Sequence, residues 1–301
     1  MWQRRTVLVL FACLAGLGAL LFLFGHPREP RYQNRPLSYW VAMLAGPQAR
    51  RPEAKEAPAA VTTIGTNALP FLLDWIQYEP PPWNAKLTEV IARLKRTLPE
   101  EPHHRSGREY LAVAADRALW ILGTRALPAI PELTRLMNDP SRPETARRAA
   151  GALRAFGTNS LPALLTVVDN PKHPCRTTAI LALEIMRRHF GPAIDPALPH
   201  LIQCLDPTNG LSAPGWAARA LGEFKSAPQL VVPALTNCFS NGNKYLRITC
   251  AEALARIGAP AASALPVLTN ALADPAPEAC SAARKAISTI TALMATNAPA
   301  R

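Results

Sequence analysis

Motifs that carry chemistry are scarce in this chain. Its six cysteines form no CxxC pair, which argues against a zinc knuckle or a thioredoxin-like site. Its six histidines (His26, His103, His104, His173, His189, His200) form no HExxH and no His-Glu step. His103-His104 stands beside Glu100 and Glu101 in a polar stretch, a setting that reads as a solvated loop rather than a metal site. There is no G-x-S-x-G elbow, no P-loop and no G-x-G-x-x-G. Aromatic residues make up 6 %, and no basic run is interleaved with them, which points away from nucleic acid. The carboxylates are scattered: Glu132, Glu184, Glu223 and Glu252 share no common position, and no helix face holds a pair at catalytic spacing. The sequence therefore predicts no catalytic residues, no metal and no cofactor.

What the chain does have is repetition, about every 34 residues. Ala60, Ala118, Ala152, Ala182, Ala220 and Ala253 are each followed by Val or Leu. Three residues earlier stands another small residue (Ala57, Ala115, Ala149, Ala179, Ala217, Cys250). Four residues later stands a large apolar one (Ile64, Leu122, Phe156, Met186, Phe224, Ile257). The spacing i, i+3, i+4, i+7 is one stripe of an α-helix, and its small residues let a neighbouring helix come close. Gly65, Gly123, Gly157 and Gly258, five residues after the marker Ala, read as C-caps.

Proline marks the second half of each unit. Pro70, Pro131, Pro162, Pro199, Pro233 and Pro266 are each followed two residues later by Leu and five and six residues later by further, mostly apolar, residues. Proline is tolerated in a first helical turn, so each is predicted to start a second helix with a stripe at +2, +5 and +6. The Gly-to-Pro connections are five residues (Gly65, Gly157) or eight (Gly123, Gly258), a difference of about one short helical turn. The first helix of the Ala182 unit is predicted to run on through Arg187-Arg188-His189 to Gly191. A last apolar helix with Ala286, Ile290 and Leu293 reads as a terminal cap, and Leu37, Trp40, Val41 and Leu44 as a short capping helix at the other end.

This unit resembles the short HEAT-like repeat of the PBS-lyase type, an antiparallel helix pair, over about residues 57–292. The stretch Tyr32-Gln-Asn-Arg-Pro-Leu-Ser-Tyr-Trp40, followed by Gly65-Thr-Asn-Ala-Leu-Pro70, is similar to exported HEAT-repeat proteins of Verrucomicrobia-like bacteria. The resemblance implies an all-α fold, an α-solenoid of about six helix pairs. It implies binding of a protein or peptide along the concave face rather than catalysis. A lyase-like, enzyme-associated repeat protein is the rival reading.

The chain carries 26 arginines and 7 lysines against 21 carboxylates, a net charge of +12. That surplus suits either an anionic polymer or lipid surface, or simply solvated helix faces in an arginine-rich composition. The arginines are spread over successive repeats (Arg117, Arg147, Arg154, Arg176, Arg219, Arg256), which favours the second. Cys204 and Cys238 are 34 residues apart at one position of successive second helices. They read as small buried residues or, in an exported domain, as a disulfide.

Residues 1–25 hold Arg4 and Arg5 ahead of an 18-residue apolar run from Val7 to Phe24. This reads as a single-pass membrane anchor in the inner membrane, with the repeats outside the cytoplasm. A cleaved signal peptide leaving a secreted or periplasmic domain is the alternative; acylation at Cys13 fits poorly. Residues 26–36, with three prolines and four charges, read as a linker, and 37–301 as the repeat domain. The Ala60–Ala118 interval is about 24 residues too long, which places an insertion at 78–109. It opens with Glu79-Pro-Pro-Pro-Trp83 and continues with a helical stripe opposite Lys86, Arg93, Lys95 and Arg96. Trp83, Lys86, Arg93 and Arg96 are its candidate binding residues, because repeat proteins bind through such insertions.

Overall fold

The computed structural model describes residues 28–80, 107–206, 212–273 and 275–296. The apolar run at 7–24 and Trp83, Lys86, Arg93 and Arg96 lie outside them. Among the described residues no helix is long and apolar enough to cross a membrane.

Among the described residues six helix pairs follow one another. The first helices are α2 (Ala57–Ile64), α4 (Gly107–Leu122), α6 (Pro143–Leu153), α8 (Arg176–Phe190), α10 (Ala213–Leu221) and α12 (Lys244–Ile257). The second helices are α3 (Leu69–Ile76), α5 (Ile130–Met137), α7 (Leu161–Val168), α9 (Leu198–Gln203), α11 (Pro228–Asn241) and α13 (Leu265–Asn270). They are flanked by α1 (Leu37–Ala42) and the closing α14 (Pro277–Thr296). First helices pack on the next first helix, as α8 on α10 and α10 on α12; second helices also pack on the next first helix, as α3 on α4, α5 on α6 and α11 on α12. The result is the all-α solenoid that the repeat predicts, one hydrophobic layer running from α1 to α14.

The marker column is the spine of that layer. Every marker Ala, the small residue three before it, the aliphatic residue after it and the large one four after it is buried. The Leu two residues beyond each proline is buried as well. The stripe fails at its C-terminal end, where Leu272 and Leu293 are exposed although Ile290 is buried. Leu272 has left α13 and sits on a terminal 3-10 turn, which rotates it off the helical stripe.

Five of the six prolines occupy the second residue of their helix. Pro233 does not: it is the sixth residue of α11, which starts at Pro228. Elsewhere a 3-10 turn joins the two helices, four residues long at Gly65–Ala68 and seven at Gly123–Ala129 and Gly191–Ala197. Before α11 that turn is fused into the helix itself, so Pro233 falls in the interior and denies the Gln229 carbonyl its i+4 donor.

The glycine stops also differ from a left-handed cap. Gly65, Gly157, Gly191 and Gly258 have φ between 54° and 80° but ψ between −133° and −140°. This region is open essentially to glycine alone. It reverses the chain sharply enough to begin the connecting turn at once.

The expected linker is ordered from residue 28 onward. Arg31–Tyr32 (β1) pairs antiparallel with Arg35–Pro36 (β2) across Gln33 and Asn34, both at positive φ as a two-residue hairpin turn requires. The Tyr32 carbonyl accepts from Trp40 Nε1 at 3.1 Å, and the two rings meet edge-on at 5.6 Å. Proline and charge masked this hairpin in the sequence, because its only pairing is two residues long. Further along, the start of the insertion is tied down by Glu79, whose carboxylate accepts from Thr145 N at 2.6 Å and so caps α6 from one repeat back.

Candidate functional site

The arginines come first, because their surplus is the strongest electrostatic feature of the sequence. Some, such as Arg135 and Arg147, are more than half exposed on helix faces; others reach backward across a repeat boundary. Arg154 Nη2 meets Asp116 Oδ2 at 2.5 Å, Arg219 meets Glu184 at 2.8 Å and Arg256 meets Glu223 at 3.3 Å. Others donate to carbonyls of the preceding repeat or cap: Arg117 to Leu44, Arg125 to Thr62, Arg148 to Ile76 and Tyr78, Arg256 to Arg219. Helix C-termini present carbonyls without intrahelical donors, and a guanidinium satisfies them with several N–H groups at once. Burial pushes the Asp116 carboxyl above its usual range, with Arg154 pulling against it. These boundary arginines thus serve as clamps between repeats.

The second helices form a different surface. A cavity of about 590 Å³ lies across α7, α9 and α11. Asn237, Cys238 and Asn241 enter it from one face of α11, at i, i+1 and i+4. Gln203 and Cys204 enter from α9 and the turn after it, and Asp169 from the end of α7. His200 Nδ1 sits 2.7 Å from Asp169 Oδ1, tying α9 to the preceding repeat. At the floor, Arg176 is 6 % exposed; its Nε donates to the Val168 carbonyl at 2.7 Å and its Nη2 to Cys204 Sγ at 3.3 Å. Burial pushes the Cys204 thiol up, against the pull of Arg176. Asn241 Nδ2 donates to Asn237 Oδ1 at 3.0 Å, so this wall is lined by ordered amides. The groove offers donors and acceptors side by side but no group of three metal ligands among the described residues.

Cys204 and Cys238 both border this groove as free thiols. They are not joined to each other: Cys238 Sγ donates to the Leu205 carbonyl at 3.6 Å, whereas Cys204 is held by Arg176.

A third feature arises from the elongated α8. Its last residues bring the His189 ring to 4.9 Å and the Phe190 ring to 6.0 Å from Trp120 of α4, two repeats back. Phe190 covers Gly157, and shallow recesses of about 410 and 370 Å³ flank Trp120. Sequence reasoning marked the Ala182 unit as irregular but had no signal that its extra turn would meet Trp120. It missed the groove too, because polar residues at exposed second-helix positions resemble ordinary surface.

Six buried helix-pair stripes, stacked in order and clamped by arginines, define a HEAT-type α-solenoid. The HEAT-repeat family matches residues 111–184 and 195–288, more than half of the chain, and the chain belongs to that family. No curated protein matches the sequence. Among solved structures it is similar to the complex of CpcE and CpcF of phycocyanin lyase from Nostoc, at 19 % identity and a TM-score of 0.33, over 88 % of this chain and 99 % of that one.

Proposed function

We propose that this protein is a non-catalytic scaffold, tethered to the membrane by residues 7–24, with its repeats outside the cytoplasm. It holds a protein or peptide partner along its second helices. The observation that carries this reading is the amide-lined groove across α7, α9 and α11. Gln203, Asn237 and Asn241 present both donors and acceptors, which suit the alternating N–H and C=O groups of an extended backbone. Arg154, Arg219, Arg256 and Arg148 are committed inside the fold, at Asp116, Glu184, Glu223 and the Ile76 carbonyl, which reduces the charge left for an anionic polymer.

The test is a photo-crosslinking residue at position 237 of the full-length chain in its native membrane. A discrete protein adduct is expected, lost when Gln203→Trp fills the groove. Adducts that persist in the blocked variant, or that form equally from exposed Tyr245, would remove the groove from the reading.

A further inference from the structure

The arginines nearest the apolar run differ from those between the repeats. Residues 26–52 hold Arg28, Arg31, Arg35, Arg50 and Arg51 but a single carboxylate, Glu29. That carboxylate is already engaged: its Oε2 accepts from Ser38 N at 3.0 Å, at the start of α1. Arg28, Arg31 and Arg35 are exposed, and none of them meets a carboxylate among the described residues. Arg31 Nη1 reaches only Asn34, 3.4 Å from its carbonyl and 3.4 Å from its Oδ1. Arg35 lies over the ring of the half-buried Tyr39, with Cζ 4.9 Å from the centroid.

The hairpin gathers these cations. Pairing of Arg31 with Pro36 and of Tyr32 with Arg35 brings Arg35 back beside the first strand. A bond of 2.9 Å from Leu37 N to the Pro30 carbonyl closes the base of the hairpin on α1. A flexible linker scatters its charges, whereas this ordered one presents them as a cluster. Arg28 follows Phe24, the last residue of the apolar run, by four residues, which span at most about 14 Å.

We propose that Arg28, Arg31 and Arg35, with Tyr39, dock the N-terminal end of the solenoid on the anionic phospholipid headgroups of the membrane that holds residues 7–24. The inference rests on the tether of the proposed function and adds the protein surface that the tether brings to the bilayer. Reach and charge both select lipid. A bilayer left at Phe24 is the anionic surface nearest to Arg28, and headgroup charge attracts cations held within a Debye length, about 8 Å at physiological salt. Guanidinium groups meet phosphate oxygens through paired N–H donors, and a tyrosine ring, apolar in body and polar at its tip, suits the headgroup level. Arg154 and Arg219, committed to Asp116 and Glu184, have no such freedom. The contact fixes which end of the solenoid faces the bilayer, whatever the groove binds.

The experiment reconstitutes the full-length chain into phosphatidylcholine vesicles containing phosphatidylglycerol, part of which carries a photoreactive headgroup. After illumination, lipid adducts are mapped by peptide mass spectrometry. Adducts are expected to concentrate in the peptide spanning residues 28–39. They are expected to fall about fivefold in the triple variant Arg28→Gln, Arg31→Gln, Arg35→Gln, and to return when the same three positions carry Lys. The lysine variant loses the Arg31–Asn34 contact but keeps the charge, so its recovery separates charge from hairpin stability. Adducts that survive in the glutamine variant, or that form equally on the exposed Arg135 and Arg147, overturn the proposal. Alkaline carbonate extraction separates the two levels. Release of the wild-type chain removes the tether and this contact together; retention with adducts indifferent to the three arginines overturns this contact alone and leaves the scaffold reading standing.

Discussion

Arg154 and Asp116 are 38 residues apart in sequence and 2.5 Å apart in space, Asp116 on α4 and Arg154 at the C-cap of α6, the next first helix. Burial is the largest influence on Asp116 and raises its pKa; Arg154 opposes it. A carboxyl whose folded pKa lies above its unfolded one stabilises the fold while protonated, and that contribution is lost as pH rises through the folded value. Removing Arg154 raises the folded value further. Arg154→Met is therefore expected to cost about 2 kcal/mol at about pH 7, with the cost shrinking as pH falls towards about 5, the direction in which Asp116 takes up a proton. Urea unfolding at the two pH values checks this; an equal loss at both would show that the pair does not matter electrostatically.

The glycine stops separate backbone strain from crowding. A Cβ at Gly65 would meet no atom within 4 Å, yet its φ is 63°. Gly65→Ala is expected to cost about 1–2 kcal/mol from conformation alone. Gly157→Ala adds contact with the Phe190 ring, 3.1 Å from the new Cβ, and is expected to cost more. Gly215→Ala, inside α10 with open space around it, is expected to gain about 0.5–1 kcal/mol. Thermal unfolding that ranked the three otherwise would contradict the cap geometry.

Pro233 and Pro162 look alike in sequence and should behave oppositely. Pro162→Ala removes a residue preset for a helix start and is expected to destabilise by a few tenths of a kcal/mol, roughly the effect of unfolded-state freedom. Pro233→Ala returns a donor to the interior of α11 and is expected to stabilise by about 1 kcal/mol. Denaturant midpoints of the two single variants decide between them.

Arg148 donates to the carbonyls of Ile76 and Tyr78, where the insertion begins. Arg148→Met is expected to speed amide hydrogen exchange across 76–80 before the rest of the chain, with a global loss of about 1–2 kcal/mol. Exchange that rises uniformly along the solenoid would contradict a local clamp.

The column of Ala60, Ala118 and their counterparts was legible because helix packing repeats its demand for a small residue at fixed spacing, and the sequence shows that demand directly. Pro233 shows the limit. A proline five residues after Pro228 has the same flanking pattern as a proline at a helix start, and only the missing turn before α11 separates them. The arginine clamps were hidden for another reason. Asp116, Glu184 and Glu223 sit two before, two after and three after their marker Ala, so no column forms. The signal lay in pairs one repeat apart, each acid answered by an Arg 33 to 38 residues later. The groove needed the stacking itself, since it joins side chains from different units.

Those clamps also have a direction. In the Asp116–Arg154, Glu184–Arg219 and Glu223–Arg256 pairs the acceptor belongs to the earlier repeat and the donor to the later one; the carbonyls of Leu44, Thr62 and Tyr78 follow the same order. Arg187 with Ser226, and Lys244 with Glu278, run the other way. A chain leaving the ribosome N-terminus first would present each repeat with its carboxylate and carbonyls still wet, awaiting the next to arrive. Assembly of this solenoid is in that sense vectorial. Trimming whole repeats from its C-terminal end would strand half-buried anions, whereas trimming from the other end would release chiefly guanidinium groups that water accepts readily.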